Sequence, residues 1–298
     1  MWIALALLAP LLWAASNIFD KYALSKLSRG VYEFIFLGSL ASFVIILVCL
    51  AIFGLDTIAT VALWALVAGA SLQFSYLFYS YALNHEDASY VIPLYITYSV
   101  VVLLLGPLFG ESITTHQYIS FAIVFIGALI LSQTKLSFGI HRYRRGALLM
   151  IPAIILLSFY TLFFHNSLNF LSFADAFIYT EIGFAVSGVS LLLIPRCRRE
   201  ILAGVKTANI KKLKYFLLND TIDLSGHLLY QYALLITPSA SLIAVIGGVQ
   251  PFYVLILGLF FTFLFPQIVS EKVTRQEITQ KLIGTAIILS GIIYLNLF

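Results

Sequence analysis

The sequence predicts an all-α integral membrane protein: ten transmembrane helices, arranged as two inverted five-helix repeats around a central cavity. Three observations carry that expectation. The 298-residue chain is 61% hydrophobic and only 10% charged, whereas a soluble protein of this length carries about a quarter charged residues. Its apolar runs reach the roughly 20 residues that a bilayer demands. The phrase Leu77-Phe78-Tyr79-Ser80-Tyr81-Ala82-Leu83 returns half a chain later as Leu228-Leu229-Tyr230-Gln231-Tyr232-Ala233-Leu234, with five of seven residues identical. Lipid gives the backbone no hydrogen-bond partners, so such spans must be helices. The runs are continuous and do not alternate as barrel strands would.

Taken in order, the spans fall at 1–24, 31–54, 59–82, 88–109, 115–133, 146–168, 174–194, 213–236, 239–265 and 278–297. The first has the apolar core of a signal peptide, with Trp13-Ala14-Ala15-Ser16 resembling a cleavage site, but it lacks a basic leader and runs on to Phe19. It is therefore read as span 1. Most connections are short, which favours antiparallel neighbours. Two are longer and basic, Gln133–Arg145 and Pro195–Lys214.

The basic residues fix an orientation. All 17 Lys and Arg fall in the loops after spans 1, 3, 5, 7 and 9 or at the adjoining helix ends. The positive-inside bias assigns that side to the cytoplasm of a bacterial inner or plasma membrane and puts both termini outside. Lys21, Lys214 and Lys281 lie inside spans, but near the basic end, so no lysine or arginine is expected deep. The 195–214 loop has two readings. Ile201, Leu202, Val205, Ile210 and Leu213 among its cations fit a short amphipathic helix on an anionic leaflet. The orientation rule favours a solvated topology anchor. Cys49 and Cys197 lie toward opposite faces, so no disulfide is expected.

The repeat extends past the opening phrase. Ala88-Ser89 and Ala240-Ser241 follow the two copies, Gly106 aligns with Gly258, Glu111 with Glu271, and Lys21 with His165. The repeats run 1–134 and 146–298. Five helices in each force the second to insert upside down.

At these residues the chain resembles the drug/metabolite transporter superfamily, in its EamA-type branch. The carrying features are Tyr79-Ser80-Tyr81-Ala82-Leu83 with Ala88-Ser89, Gly106 and Glu111, and the second copy through Ala240-Ser241, Pro251, Glu271, Gly284 and Gly291. Two positions depart: Ser120 stands where the family favours glycine, and Ser99 stands opposite Pro251. The resemblance implies ten helices, a cavity lined by spans 1–4 and 6–9, peripheral spans 5 and 10, and transport by alternating access.

Ionisable groups inside spans are costly and tend to face wet cavities. Span 8 carries Asp220, Asp223, His227 and Tyr230 on one helical face. The equivalent face of span 3 is Gly69, Leu72, Tyr76 and Tyr79, without charge. Span 1 offers Trp13, Asn17 and Asp20; span 6 offers Ser158, Thr161 and His165; span 7 offers Glu181. Spans 2, 4 and 9 add Glu33, Tyr95, Tyr98 and Gln250. Each has a plainer role open to it. Asp220 fits hydration at an interface, Asp20 an interface pair with Lys21, Glu181 a structural link to His165 or Lys21, and Glu33 a structural helix end.

The substrate-binding set expected is Trp13, Asn17, Tyr76, Tyr79, Tyr98, Glu181, Asp223, His227, Tyr230 and Gln250, with Asp223 and His227 coupling transport to a proton or cation. Carboxylates with aromatic faces suit a cation, so the expected cargo is a small polar metabolite, with amines, amino acids and organic cations preferred. The expected partners are that substrate, membrane lipid and a proton or cation. No nucleic-acid motif, metal site or cofactor is expected, and oligomeric state stays open. The alternatives are an intramembrane enzyme using Asp220, Asp223 and His227, a non-transporting receptor, and a channel, for which no filter-like charge ring is visible.

Overall fold

The computed structural model describes residues 2–55, 61–85, 88–110, 112–132, 140–237, 239–264 and 275–297. Glu111, Lys135, Glu271 and Lys272 lie outside these residues, as do the side chains of Ala88, Ser89, Arg142, Arg144, Arg145, Arg275 and Lys281. Every regular element among the described residues is helical. The first half holds α1 (Trp2–Tyr22), α2 (Val31–Phe53), α3 (Leu63–His85), α4 (Ala88–Tyr95), α5 (Tyr98–Leu105) and α6 (Thr115–Ser132). The second holds α7 (Ile140–Ser167), α8 (Phe173–Ser190), α9 (Pro195–Val205), α10 (Ile210–Leu235), α11 (Ala240–Gly247), α12 (Gln250–Leu264) and α13 (Arg275–Leu297). A π turn over Ala23–Leu27 extends α1.

Among the described residues, five stretches are long and apolar enough to cross a membrane: Trp2–Leu27, Val31–Phe53, Leu148–Ser167, Phe173–Leu193 and Ala240–Thr262. Shorter apolar helices cover Tyr98–Phe109 and Leu282–Gly291. Large apolar side chains such as Leu47, Ile52 and Leu104 stand well exposed, as they do on a protein whose solvent is hydrocarbon. The chain is an integral membrane protein.

Two of the expected spans are broken. Span 4 splits into α4 and α5 at Ile96-Thr97, where Thr97 and Val100 bond back three residues, to Leu94 and Thr97. Span 9 splits at Gly248-Val249, where Gly248 and Val249 bond back to Val245 and Ile246. The two breaks are separated by the same offset that aligns Gly106 with Gly258. Freed backbone groups at membrane depth survive only where protein or a wet cavity receives them.

Packing joins the halves. α3 lies along α7 and α8, α1 along α10, α2 along α8, and α6 along α13. Local signals set the ends. Ser172 caps α8 by accepting from the Asp175 amide at 3.1 Å, and Asn209 caps α10 by accepting from the Lys212 amide at 2.8 Å. The basic segment 195–205 is a helix, α9, with proline in its first turn.

Candidate functional site

A cavity opens where α1, α3, α4, α5, α7, α10 and α12 converge. Helical spacing places each contribution. α1 presents Trp13 and Asn17, one turn apart; α3 presents Leu72 and Tyr76; α7 presents Leu157, Tyr160 and Thr161; α10 presents His227 and Tyr230. Tyr95 closes α4 and Tyr98 opens α5, so the helix break delivers two tyrosines to one wall. Gln250, at the start of α12, comes from the second break.

The polar groups form a connected network. The Tyr76 hydroxyl donates to the Asp223 carboxylate, 2.9 Å from Oδ1 and 3.0 Å from Oδ2. His227 Nε2 stands 3.4 Å from Asp223 Oδ2 and 3.4 Å from the Tyr76 hydroxyl. On the far side of the imidazole, Tyr160 Oη is 3.1 Å from Nδ1 and receives the Gln231 amide at 3.1 Å. Tyr160 accepts from Gln231 and keeps both its O–H and a second lone pair toward Nδ1, so the imidazole tautomer sets which atom of that pair donates. Trp13 tilts against the same imidazole, with centroids 5.0 Å apart, and against Tyr230 at 5.1 Å.

Two further hydrogen bonds mirror each other. Tyr79 donates to Asn17 Oδ1 at 3.0 Å, and the Tyr230 hydroxyl lies 3.2 Å from Thr161 Oγ1. Tyr79 and Tyr230 are partners in the repeated phrase, and Asn17 and Thr161 share the offset of Lys21 and His165. Asn17 Nδ2 and Trp13 Nε1 are buried with no hydrogen-bond partner.

Seven of the ten expected residues line this cavity: Trp13, Asn17, Tyr76, Tyr98, His227, Tyr230 and Gln250. Asp223 does not line the cavity itself and meets it through its contacts with Tyr76 and His227. Tyr79 is fully buried behind Asn17, stacked on Tyr95 at 5.0 Å. Glu181 is buried on α8 outside the lining, yet Asp223 is its electrostatic neighbour, as it is of Asp20 and Asp220. Tyr160 was not expected here; it lies between Ser158 and Thr161, and its ring hid it among the many apolar aromatics.

Two plainer roles change. Asp20 is buried on α1 and accepts from Asn219 Nδ2 at 2.7 Å, while the neighbouring Lys21 ammonium donates to the Leu83 carbonyl at 2.7 Å. Asp220 is not simply hydrated: its Oδ2 is buried and unpartnered, facing Gly38 of α2. Lys212 is buried and ion-paired with Glu33, which is fully enclosed. An ion pair neutralises what a lone lysine could not bury. No group of three His, Cys, Asp or Glu able to hold a metal occurs among the described residues.

Residues 1–133 match the EamA-like transporter family. That stretch, 133 of the 298 residues, is similar to the family. The cavity draws on it through α1, α3, α4 and α5, and completes itself with α7, α10 and α12. No curated protein matches the chain. Solved structures do, 28 chains in all. One of them, described only as a crystal structure of a protein, has a TM-score of 0.66 over 99% of this chain and 96% of its own, at 12% identity. At that identity the likeness is one of fold. The chain is thus an integral membrane protein whose first 133 residues are similar to a transporter family.

Proposed function

We propose that the protein is a secondary active transporter that moves a small amine, amino acid or organic cation by alternating access of two inverted five-helix repeats. The observation that carries this reading is the Tyr76–Asp223–His227 cluster. It joins a residue of the first half to two of the second, beside an aromatic cavity. A carboxylate supplies charge and the rings supply cation–π attraction. His227 Nε2 lies 3.4 Å from Asp223 Oδ2, so one proton has two nearby seats. Matching helix breaks, and the paired Tyr79–Asn17 and Tyr230–Thr161 bonds, support the inverted repeat. The unpartnered amide of Asn17 calls for a hydrogen-bond acceptor on the substrate, which favours an amino acid over a simple amine.

In this mechanism the substrate ammonium sits among the rings beside Asp223, and its acceptor group meets Asn17. Rocking of the halves then exposes the site to the other side. The basic loops face the cytoplasm and both termini face out.

The test uses purified protein in proteoliposomes. A thermal-shift screen over amines, amino acids, nucleotides and sugar phosphates first identifies a ligand. Stabilisation by anions alone would overturn the sign assigned to the cavity. With that ligand, Asp223→Asn is expected to insert normally and to abolish uptake driven by a pH gradient. Unchanged uptake with and without the gradient would remove Asp223 from the mechanism.

A further inference from the structure

The cavity leaves unexplained a second polar construction, at the basic end of the molecule, where α2 begins. The first amides of a helix need acceptors. Gly30, the residue before α2, supplies no side chain. The acceptor comes from α9 instead: Glu200 Oε1 receives the Tyr32 amide at 2.9 Å and the Glu33 amide at 3.4 Å. A carboxylate there also complements the helix dipole.

Glu33 then reaches across to the second half. Its Oε2 accepts from the Arg29 amide at 2.7 Å, and its Oε1 pairs with Lys212 of α10. It fits only because α9 has a glycine beside it. A Cβ on Gly204 would stand 2.0 Å from the Glu33 carboxyl carbon. The inner face of α9 is completed by Cys197 and Ile201, both buried. Cys197, Ile201 and Gly204 recur at helical spacing. α9 thus packs on α2 where α2 is ion-paired to the start of α10.

Its other face is built for something else. Arg196, Arg198, Arg199 and Lys206 are exposed there. So are aliphatic side chains: Leu202 and Val205 on the helix, Leu193 and Ile194 before it, and Ile210 after it, with Leu193 at 83% and Ile210 at 66% exposure. Lys211 and Lys214 continue the positive field into α10. Cations mixed with protruding aliphatics, beside the ends of membrane helices, match an anionic lipid surface: headgroups pair with the arginines and acyl chains take the aliphatics.

We infer that α9 is a clamp, holding the start of α2 through Glu200 and covering the Glu33–Lys212 pair between α2 and α10 with Gly204 on its inner face, and docking on anionic phospholipid headgroups through its outer face. The lipid holds α9 in place, and α9 holds the two halves together at this end. Anionic lipid therefore sets how readily the basic end opens. This rests on the transporter reading only for the consequence of opening; the docking stands on the membrane setting alone.

Cys197 provides a reporter that needs no substrate. Docking buries it, and release of α9 exposes it. The full chain carrying Cys49→Ser is placed in nanodiscs of phosphatidylcholine, or of phosphatidylcholine mixed equally with phosphatidylglycerol, and its maleimide labelling rate is measured. Labelling is expected to be roughly tenfold slower with the anionic lipid, and high salt should erase the difference. The triple variant R196Q/R198Q/R199Q should label equally in both bilayers. Glu33→Gln and Lys212→Met should label faster in both, and the exchange E33K/K212E should return the rate toward its starting value. Equal rates in the two bilayers with the arginines intact overturn the lipid docking. Unchanged rates in Glu33→Gln and Lys212→Met overturn the latch. Neither result bears on whether the cavity transports a cation, which the Asp223→Asn assay decides separately.

Discussion

The seam between α3 and α8 and the seam between α2 and α10 are, in the proposed repeat, two versions of one contact, and they are built in opposite ways. In the first, backbone meets backbone. A Cβ on Gly69 would lie 1.8 Å from the Thr180 carbonyl oxygen, and one on Gly183 would lie 2.1 Å from that of Leu66. Small residues let membrane helices close to this distance. In the second, the position equivalent to Gly69 is Asp220, whose Oδ1 stands at an ordinary 3.4 Å from where a Cβ on Gly38 would be. One seam is sealed by missing side chains. The other is held apart by a carboxylate, one turn from Asp223. The scaffold is shared, and the chemistry sits where the halves differ.

The sharpest way to break this comparison is to add a side chain to each seam. Gly69→Val forces α3 away from α8 against main-chain atoms that cannot yield, and should cost about 3 kcal/mol. Gly38→Ala adds only a methyl in ordinary contact with Asp220 and should leave stability within about 0.5 kcal/mol. Thermal unfolding of the two variants in detergent gives the answer. Equal melting losses would mean that the α3–α8 seam is no tighter than its counterpart.

A second contrast lies nearer the cavity. Ser75 of α3 donates to the Ala153 carbonyl of α7 at 2.6 Å, and the Tyr95 hydroxyl bonds it at 2.8 Å. Its repeat partner on α10 is Gly226, where a Cβ would stand 3.3 Å from the Ala9 carbonyl and 2.7 Å from Trp13 Nε1. Ala9 and Ala153 are themselves repeat partners, so the crossing is kept while its filling changes from a hydroxyl to an indole. Gly226→Ala should cost about 1–2 kcal/mol by overpacking and shift the emission of Trp13 in a Trp2→Phe/Trp64→Phe background. Ser75→Ala should cost about 1 kcal/mol and leave that emission alone. If Gly226→Ala leaves Trp13 emission unmoved, the indole does not occupy the space the glycine vacates.

The membrane class, the helix positions and the acidic face of α10 were legible because composition and a 3.6-residue period write them directly into the sequence. Asp223, His227 and Tyr230 share a stripe that no apolar packing requires. What stayed hidden depends on partners brought from far along the chain. Tyr160 reads as one more aromatic until Gln231 and His227 close around its hydroxyl. Lys212 reads as loop charge until Glu33, from the other half, enters beside Gly204. The helix breaks carried a faint sign in Pro93, Pro251 and the Gly247-Gly248 pair, since interruptions at matching places in two halves point to a transporter's site. α9 was the less favoured of two readings, because the charge rule that orients a loop does not register the buried stripe of Cys197, Ile201 and Gly204.

The smallest expected effect tests the symmetry most directly. Tyr79→Phe removes the hydroxyl that Asn17 Oδ1 receives at 3.0 Å, and Asn17 Nδ2 is already buried without a partner. Tyr230→Phe removes a hydroxyl that lies 3.2 Å from Thr161 and 3.4 Å from Tyr98. Interhelical hydrogen bonds in membranes average about 0.6 kcal/mol, so each change alone is minor. The coupling is the informative quantity. A double-mutant cycle of Tyr79→Phe with Asn17→Leu, and one of Tyr230→Phe with Thr161→Val, should each give about 0.6 kcal/mol of the same sign. Thr161 also bonds the Leu157 carbonyl at 3.1 Å within its own helix, so its cycle should fall at the lower end. Coupling in one cycle and none in the other would mean that the matching geometry is inherited from the scaffold without sharing its energetics, and that only one half still depends on the bond.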